Sequence, residues 1–188
     1  MADQLDFQSL SFGLRRMAWI RFWMQTVLGI VSAGILIFYN VGGNLGKGSL
    51  KAAGLGSGLS ITTFSFFILL YSLWHGWLIV LKGRALNTPA RPSRGETSRL
   101  LKRGVLIDVL GVVFAVIGYQ ALAGALTIQA ATQVQGFMAF GAARTQPVSF
   151  PITSIEMVSL LSNTQVLMAH VIGLIVSLLL LQRIYRTN

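Results

Sequence analysis

The chain has no cysteine, two histidines, four prolines and five acidic residues among 188. Without a thiol there are no disulfides, thiolate metal sites, iron–sulfur clusters or cysteine nucleophiles, and the redox compartment is left open. Charge is scarce as well, at 11% of residues against about 25% in soluble domains, while 54% of residues are hydrophobic. That balance excludes an ordinary soluble domain. Catalytic signatures are missing too: there is no Gly-x-Ser-x-Gly elbow, no His-Glu-x-x-His and no paired carboxylates. Ser57 lies between Gly56 and Gly58 without an evident base, and Gly46-Lys47 is followed by Gly48 where a phosphate loop needs Ser or Thr. The chain is not expected to be an enzyme or to hold a resident cofactor.

The sequence does contain four stretches free of charge: Phe22 to Gly46, Ala52 to Leu81, Val109 to Ala143 and Met157 to Gln182. A helix rises 1.5 Å per residue and needs about 20 apolar residues to cross a bilayer core. An all-α, polytopic membrane protein follows, a single membrane domain over 1–188 with four transmembrane helices in a bundle. The spans are expected near 18–39, 59–81, 105–126 and 158–181, with a basic loop at 82–104. Lys47, Lys51 and Arg144 fall on one side of such a bundle, and the remaining Lys and Arg, out of 15, on the other. Because Lys and Arg in short loops stay cytoplasmic, both termini and the central loop are expected inside, N-in/C-in. Membrane lipids are the expected partners there, through anionic headgroups at the basic face. Nucleic acid is not, since the basic loop lacks interleaved aromatic residues for stacking. Arg15-Arg16 precedes a run of full span length without a small-residue cleavage site, and reads as the flank of a retained helix. The segment from Thr127 to Thr153 is expected to include a short interfacial helix.

Lipid tails are as apolar as leucine, so helices in a bilayer associate through close packing and interhelical hydrogen bonds. Gly104, Gly111, Gly118 and Ala125 recur every seven residues on the third span. Ala169, Gly173 and Ser177 repeat every four on the last, and Gly29 with Ala33 does so on the first. Asn163, His170 and Ser177 share one face. Counted from the expected cytoplasmic ends, Asp108 and Gln25 lie about 6 Å deep, His75 about 9 Å, Tyr71 about 15 Å and His170 about 18 Å, which makes two polar layers. An ionised carboxylate facing lipid is costly, so Asp108 should meet protein, water or a basic partner such as Arg21 or Arg103. His75, between Trp74 and Trp77, reads as an interfacial anchor. If an oxygen- and imidazole-lined metal path exists, it is made from His170, Asn163, Gln120, Asp108 and His75. The two histidines do not share a helical turn, as a tight resident site would require.

Three stretches carry a family likeness. LLKRGVLIDVLGVVFAVIGYQALAG (100–124) and NTQVLMAHVIGLIVSLLLLQRI (163–184) match most closely, and RRMAWIRFWMQTVLGIVS (15–32) more loosely. With Gly104, Gly111, Gly118, Gln120 and Gly124 on the third span, and Asn163, His170, Gly173 and Ser177 on the fourth, the chain resembles the "permease in chloroplasts" family. That family comprises plastid inner-envelope proteins, also described as a small component of the protein-import translocon, and cyanobacterial relatives of unassigned function. Three positions depart from its pattern: Asp108 stands where Asn is common, Arg21 where a small polar residue is common, and Gln165 where Asn is often found. The resemblance implies one of two roles. The leading expectation is passage of iron or another divalent metal, with His170 foremost and Asn163, Gln120 and Asp108 next. The other is a non-catalytic subunit of a translocation or assembly complex. It also implies self-association or a larger membrane complex. The expected location is the plasma or thylakoid membrane of a cyanobacterium-like cell, or the plastid inner envelope in relatives. A path requires His170, Asn163 and Gln120 to converge, whereas a scaffold requires them to be satisfied by neighbouring helices.

Overall fold

In the computed structural model the backbone is described for residues 2–45, 55–86, 93–138 and 154–186, and side chains for 11–39, 56–86, 93, 95–131 and 156–185. Four helices account for nearly all of this: α1 (Ala2–Leu45), α2 (Leu55–Ala85), α3 (Arg94–Met138) and α4 (Ser154–Arg186). Among the described residues there is no strand. Each helix contains a segment long and apolar enough to cross a membrane: Ser11–Tyr39, Gly56–Ala85, Gly95–Ala131 and Glu156–Tyr185. The expected spans all fall inside these helices.

The helices outrun the expected spans, most of all around the basic loop. Helix α2 continues to Ala85 and α3 begins at Arg94, so most of 82–104 is helical. The local cause is a capping sequence, Ser-Arg-Gly-Glu, placed directly after Pro92. Ser93 Oγ accepts the backbone N–H of Glu96 at 3.2 Å and so satisfies a donor the first turn leaves free. Charged residues that deplete a hydropathy window do not break a helix, and here they extend one beyond the apolar stretch. Helix α3 also runs to Met138 across the first part of the segment expected to carry an interfacial helix. The rest of that segment, and most of the glycine-rich connection between the first two spans, lies outside the described residues.

The helices alternate in direction. Helices α1 and α3 each border α2 and α4, α2 and α4 approach across one diagonal, and α1 and α3 face each other across the other. The start of α1, the end of α2, the start of α3 and the end of α4 therefore lie at one end of the bundle. That end is filled by Leu14, Ala18, Ile79, Val80, Leu101, Leu180 and their neighbours. A smaller cluster of Leu36, Leu59, Leu122 and Leu126 closes the opposite end. Outward surfaces carry Ile30, Phe38, Phe67, Leu106 and Ile128, an apolar exterior suited to lipid. All four tryptophans stand toward the terminal end, with Trp19 against Trp77 and Trp23, and Trp74 against Tyr71. Arg15, Arg16, Arg84, Lys102 and Arg103 are exposed at the same end. This aromatic and basic collar marks a membrane–water boundary.

Candidate functional site

Between the two apolar clusters lies a band of buried polar side chains, and the glycine ladder of α3 makes room for it. A Cβ added at Gly104 would come within 3.2 Å of the His75 ring and 3.3 Å of Arg21 Nη1. At Gly111 it would overlap the His170 ring, and at Gly118 it would lie 3.0 Å from Thr62 Oγ1 and 3.3 Å from Asn163 Oδ1. Gly173 on α4 does the same for its neighbours, since a Cβ there would stand 2.7 Å from Asp108 Oδ2. The seven-residue repeat thus seats polar side chains from facing helices, in addition to bringing backbones together.

At the centre, Arg21 crosses the diagonal from α1 to α3 and pairs with Asp108, Nη2 to Oδ2 at 3.0 Å, with both side chains fully buried. The planar guanidinium reaches three further partners: Ser177 Oγ at 2.6 Å, Ser72 Oγ at 2.9 Å and Gln25 Oε1 at 3.4 Å. Ser72 donates to Asp108 Oδ1 at 2.6 Å. Gln25 turns its amide nitrogen toward Asp108 Oδ1, Ser72 Oγ and the Ala169 carbonyl, at 3.4, 3.2 and 3.1 Å. Every helix contributes. A charged pair at this depth is tolerable only when each charge is matched and its remaining hydrogen-bonding groups are satisfied, and this cluster meets both conditions.

His170 adjoins the ion pair. Its Nδ1 lies 3.5 Å from Asp108 Oδ1, within ion-pair reach but outside hydrogen-bond geometry. Its Nε2 lies 3.2 Å from the Ser65 carbonyl, which can only accept, so Nε2 carries a proton. Ser65 Oγ in turn donates to the Gly111 carbonyl at 3.0 Å. Toward the far end, Asn163 donates to the Ala115 carbonyl at 2.9 Å and accepts from Thr62 at 3.0 Å. Ser32 and Ser162 pair at 2.8 Å between α1 and α4.

The five residues named for a path do not form one set. Asp108 and His170 are adjacent, and Asn163 is buried two turns farther along α4 in a separate hydrogen-bonded group. Gln120 is exposed on the outer surface of α3, away from all of them. At 3.6 residues per turn, Gln120 is rotated about 200° from Gly118, so the ladder that points inward sends it outward. His75 is 3% exposed and turned into the bundle, while its flanking Trp74 and Trp77 face outward. The anchoring at this height is done by the tryptophans. Tyr71 likewise faces outward and takes no part. The two expected polar layers merge because depth was counted from span boundaries that the helices overrun. Counted from the observed ends, Asp108 lies about 21 Å from the start of α3 and His170 about 24 Å from the end of α4.

Arg21 and Asp108, two of the departures from the family pattern, are each other's partners. The α2 contributors Thr62, Ser65 and Ser72 were not singled out in the sequence. Their signal is a stripe of small residues, Thr62, Ser65, Ser72, Gly76 and Gly83, at three- to seven-residue spacing. Among the described residues no three His, Cys, Asp or Glu side chains cluster as metal ligands.

Comparison with known proteins places nearly the whole chain in one family. A family described as proteins of unknown function (DUF3611) matches residues 4–185. The chloroplastic protein TIC 21 of Arabidopsis thaliana is 28% identical over 194 aligned residues, covering 100% of this chain. The chain spans 61% of the length of that relative. No solved structure matches it significantly.

Proposed function

This chain belongs to the DUF3611 family, and from that premise we propose that it is a non-catalytic integral subunit of a membrane protein-translocation or assembly complex. The observation that carries the reading is the mutual satisfaction of Arg21, Asp108, Ser72, Gln25 and Ser177, which ties four helices together at one level. Groups matched to one another in this way rigidify a bundle. A carrier has to offer its polar groups to a passenger, and Gln120, needed for the route, faces away. The name of the Arabidopsis thaliana relative, TIC 21, supports the same reading. The collar of exposed Lys and Arg supports an orientation with the terminal end on the cytoplasmic or stromal side, in a plasma, thylakoid or plastid inner membrane. Anionic headgroups and the other members of the complex are its partners.

Divalent-metal passage is the second reading, favoured by the contact of one imidazole and one carboxylate, His170 and Asp108, in the bundle core. Proteoliposomes loaded with a metal-sensitive dye separate the two. The scaffold reading expects iron entry equal to that of empty vesicles, for the wild type and for His170→Ala alike. It also expects the native protein to migrate in mild detergent with stoichiometric, identifiable partners whose translocation or assembly activity falls when it is depleted. Saturable metal entry abolished by His170→Ala would overturn it.

A further inference from the structure

Toward the terminal end, the groove between α1 and α2 finishes in two arginines that the fold leaves without an anion. The helices approach closely there because position 83 has no side chain: a Cβ on Gly83 would lie 3.2 Å from Arg15 Cγ and 3.6 Å from the Arg15 backbone nitrogen. Ser11 Oγ donates to the Gly83 carbonyl at 3.0 Å and fixes the crossing. The stem of Arg15 therefore lies against α2 beside Gly83, and Arg84 is the next residue along that helix. Both arginines are exposed, and among the described residues neither has an ion pair or hydrogen bond. The described carboxylates are engaged elsewhere: Asp108 with Arg21, Glu96 with Lys82 and Glu156 with Gln129. Two guanidinium groups on adjoining stems repel each other unless an anion stands between them.

Deeper in the same groove stands a wall of aromatic rings. Arg15, Trp19 and Phe22 follow the i, i+4, i+7 spacing of one α1 face, and Trp77 and Arg84, seven apart, share a face of α2. The two faces meet, since the Trp77 ring lies 6.0 Å from Trp19 and 5.8 Å from Phe22, and Trp23 stacks on Trp19 at 6.2 Å. At 1.5 Å per residue, Arg15 stands about 6 Å beyond Trp19 toward the terminal end, and Arg84 about 10 Å beyond Trp77. A ligand suited to this groove carries an anion at its outer end and an apolar body beneath it. We propose that the α1–α2 groove binds one anionic phospholipid, with its phosphate between Arg15 and Arg84 and its acyl chains along Trp19, Phe22 and Trp77. A guanidinium fork takes phosphate oxygens in bidentate fashion, a geometry that the general attraction of basic residues to a charged leaflet does not require. A free phosphate ion would use the arginines and leave the rings idle. The site goes beyond the scaffold reading and is independent of it.

Native mass spectrometry of the detergent-purified chain, titrated with phosphatidylglycerol or phosphatidylcholine, reads the site directly. The wild type should retain a single phosphatidylglycerol, bound about tenfold or more tightly than phosphatidylcholine. Arg15→Gln with Arg84→Gln should weaken that binding about tenfold or more, while Arg99→Gln with Arg103→Gln, an equal loss of charge at the same end, should weaken it less than about twofold. Equal losses in the two double variants, or no preference in the wild type, would overturn the site and leave only general attraction to the basic end. Millimolar inorganic phosphate should not displace the lipid, and displacement would mean a phosphate site that makes no use of the rings, which also overturns the proposal. A second measurement uses the unaltered chain. Phosphatidylglycerol brominated along its acyl chains should quench the tryptophan fluorescence and saturate at a single lipid per chain, whereas brominated phosphatidylcholine should not saturate over that range. Quenching that rises alike for both lipids would refute the proposal.

Discussion

Replacing Arg21 by methionine keeps the length of the side chain and removes its charge and four polar contacts, with Asp108, Ser177, Ser72 and Gln25. The three neutral contacts, at about 0.6 kcal/mol per interhelical hydrogen bond in a membrane, account for about 2 kcal/mol. The larger effect is on Asp108, left as a buried carboxylate without a cation. Breaking a buried ion pair on one side costs about 3–5 kcal/mol, and these figures overlap because the same hydrogen bonds are counted in both. A loss of about 3–5 kcal/mol is therefore expected for Arg21→Met, and a comparable one for Asp108→Leu, which strands the guanidinium instead. The double variant leaves neither charge behind and should recover most of the loss. Reversible unfolding by SDS in mixed micelles, followed by fluorescence of Trp19 and Trp77 near the cluster, measures all three. A single-variant loss below about 1 kcal/mol, or a double variant no better than the singles, would show that Arg21–Asp108 does not hold the four helices together.

Gly111→Ala should destabilise by about 1–3 kcal/mol, because its methyl would fall on the His170 ring, while Gly34→Ala and Gly124→Ala, with nothing within 4 Å, should be near neutral in the same unfolding assay. Asn163→Leu should cost about 1 kcal/mol through its bonds to Ala115 and Thr62, and Gln120→Leu should cost nothing, since the amide faces lipid; a reversed order would mean that Gln120 lies inside. Ser93→Ala should lower stability by about 1 kcal/mol and speed amide exchange over the first turn of α3, whereas Lys82→Ala, which breaks an exposed pair with Glu96 at 3.4 Å, should change stability by less than about 1 kcal/mol.

The number of helices, their type and the inward glycine face of α3 were legible because each is a one-dimensional pattern: length without charge, or a seven-residue repeat. Asp108 meeting Arg21 was legible as one of two pairings, since a buried carboxylate needs a cation and few were within reach. The depth of His170 relative to Asp108 was not. It depends on where each helix ends, and a cap at Ser93 moved that boundary past the charged residues. The orientation of His75 was obscured by Trp74 and Trp77, whose preference for the boundary says nothing about a neighbour rotated about 100° from the first and about 200° from the second. Gln120 was grouped with His170 and Asn163 by side-chain chemistry and by resemblance, while its angle from Gly118 already directed it to lipid.

The pairing of the first helix with the third also bears on how the protein is made. Arg21 leaves the ribosome 87 residues before Asp108. At about 5–20 residues per second, the cation waits roughly 4–17 s for its counter-charge. During that interval the first span carries an unpaired charge, whose cost reaches about 2.5–3.5 kcal/mol only at a helix centre, and its guanidinium reaches back toward the headgroups until the third span arrives. The first hairpin is thus a provisional insertion, fixed in depth only when a helix from the second hairpin draws the arginine inward.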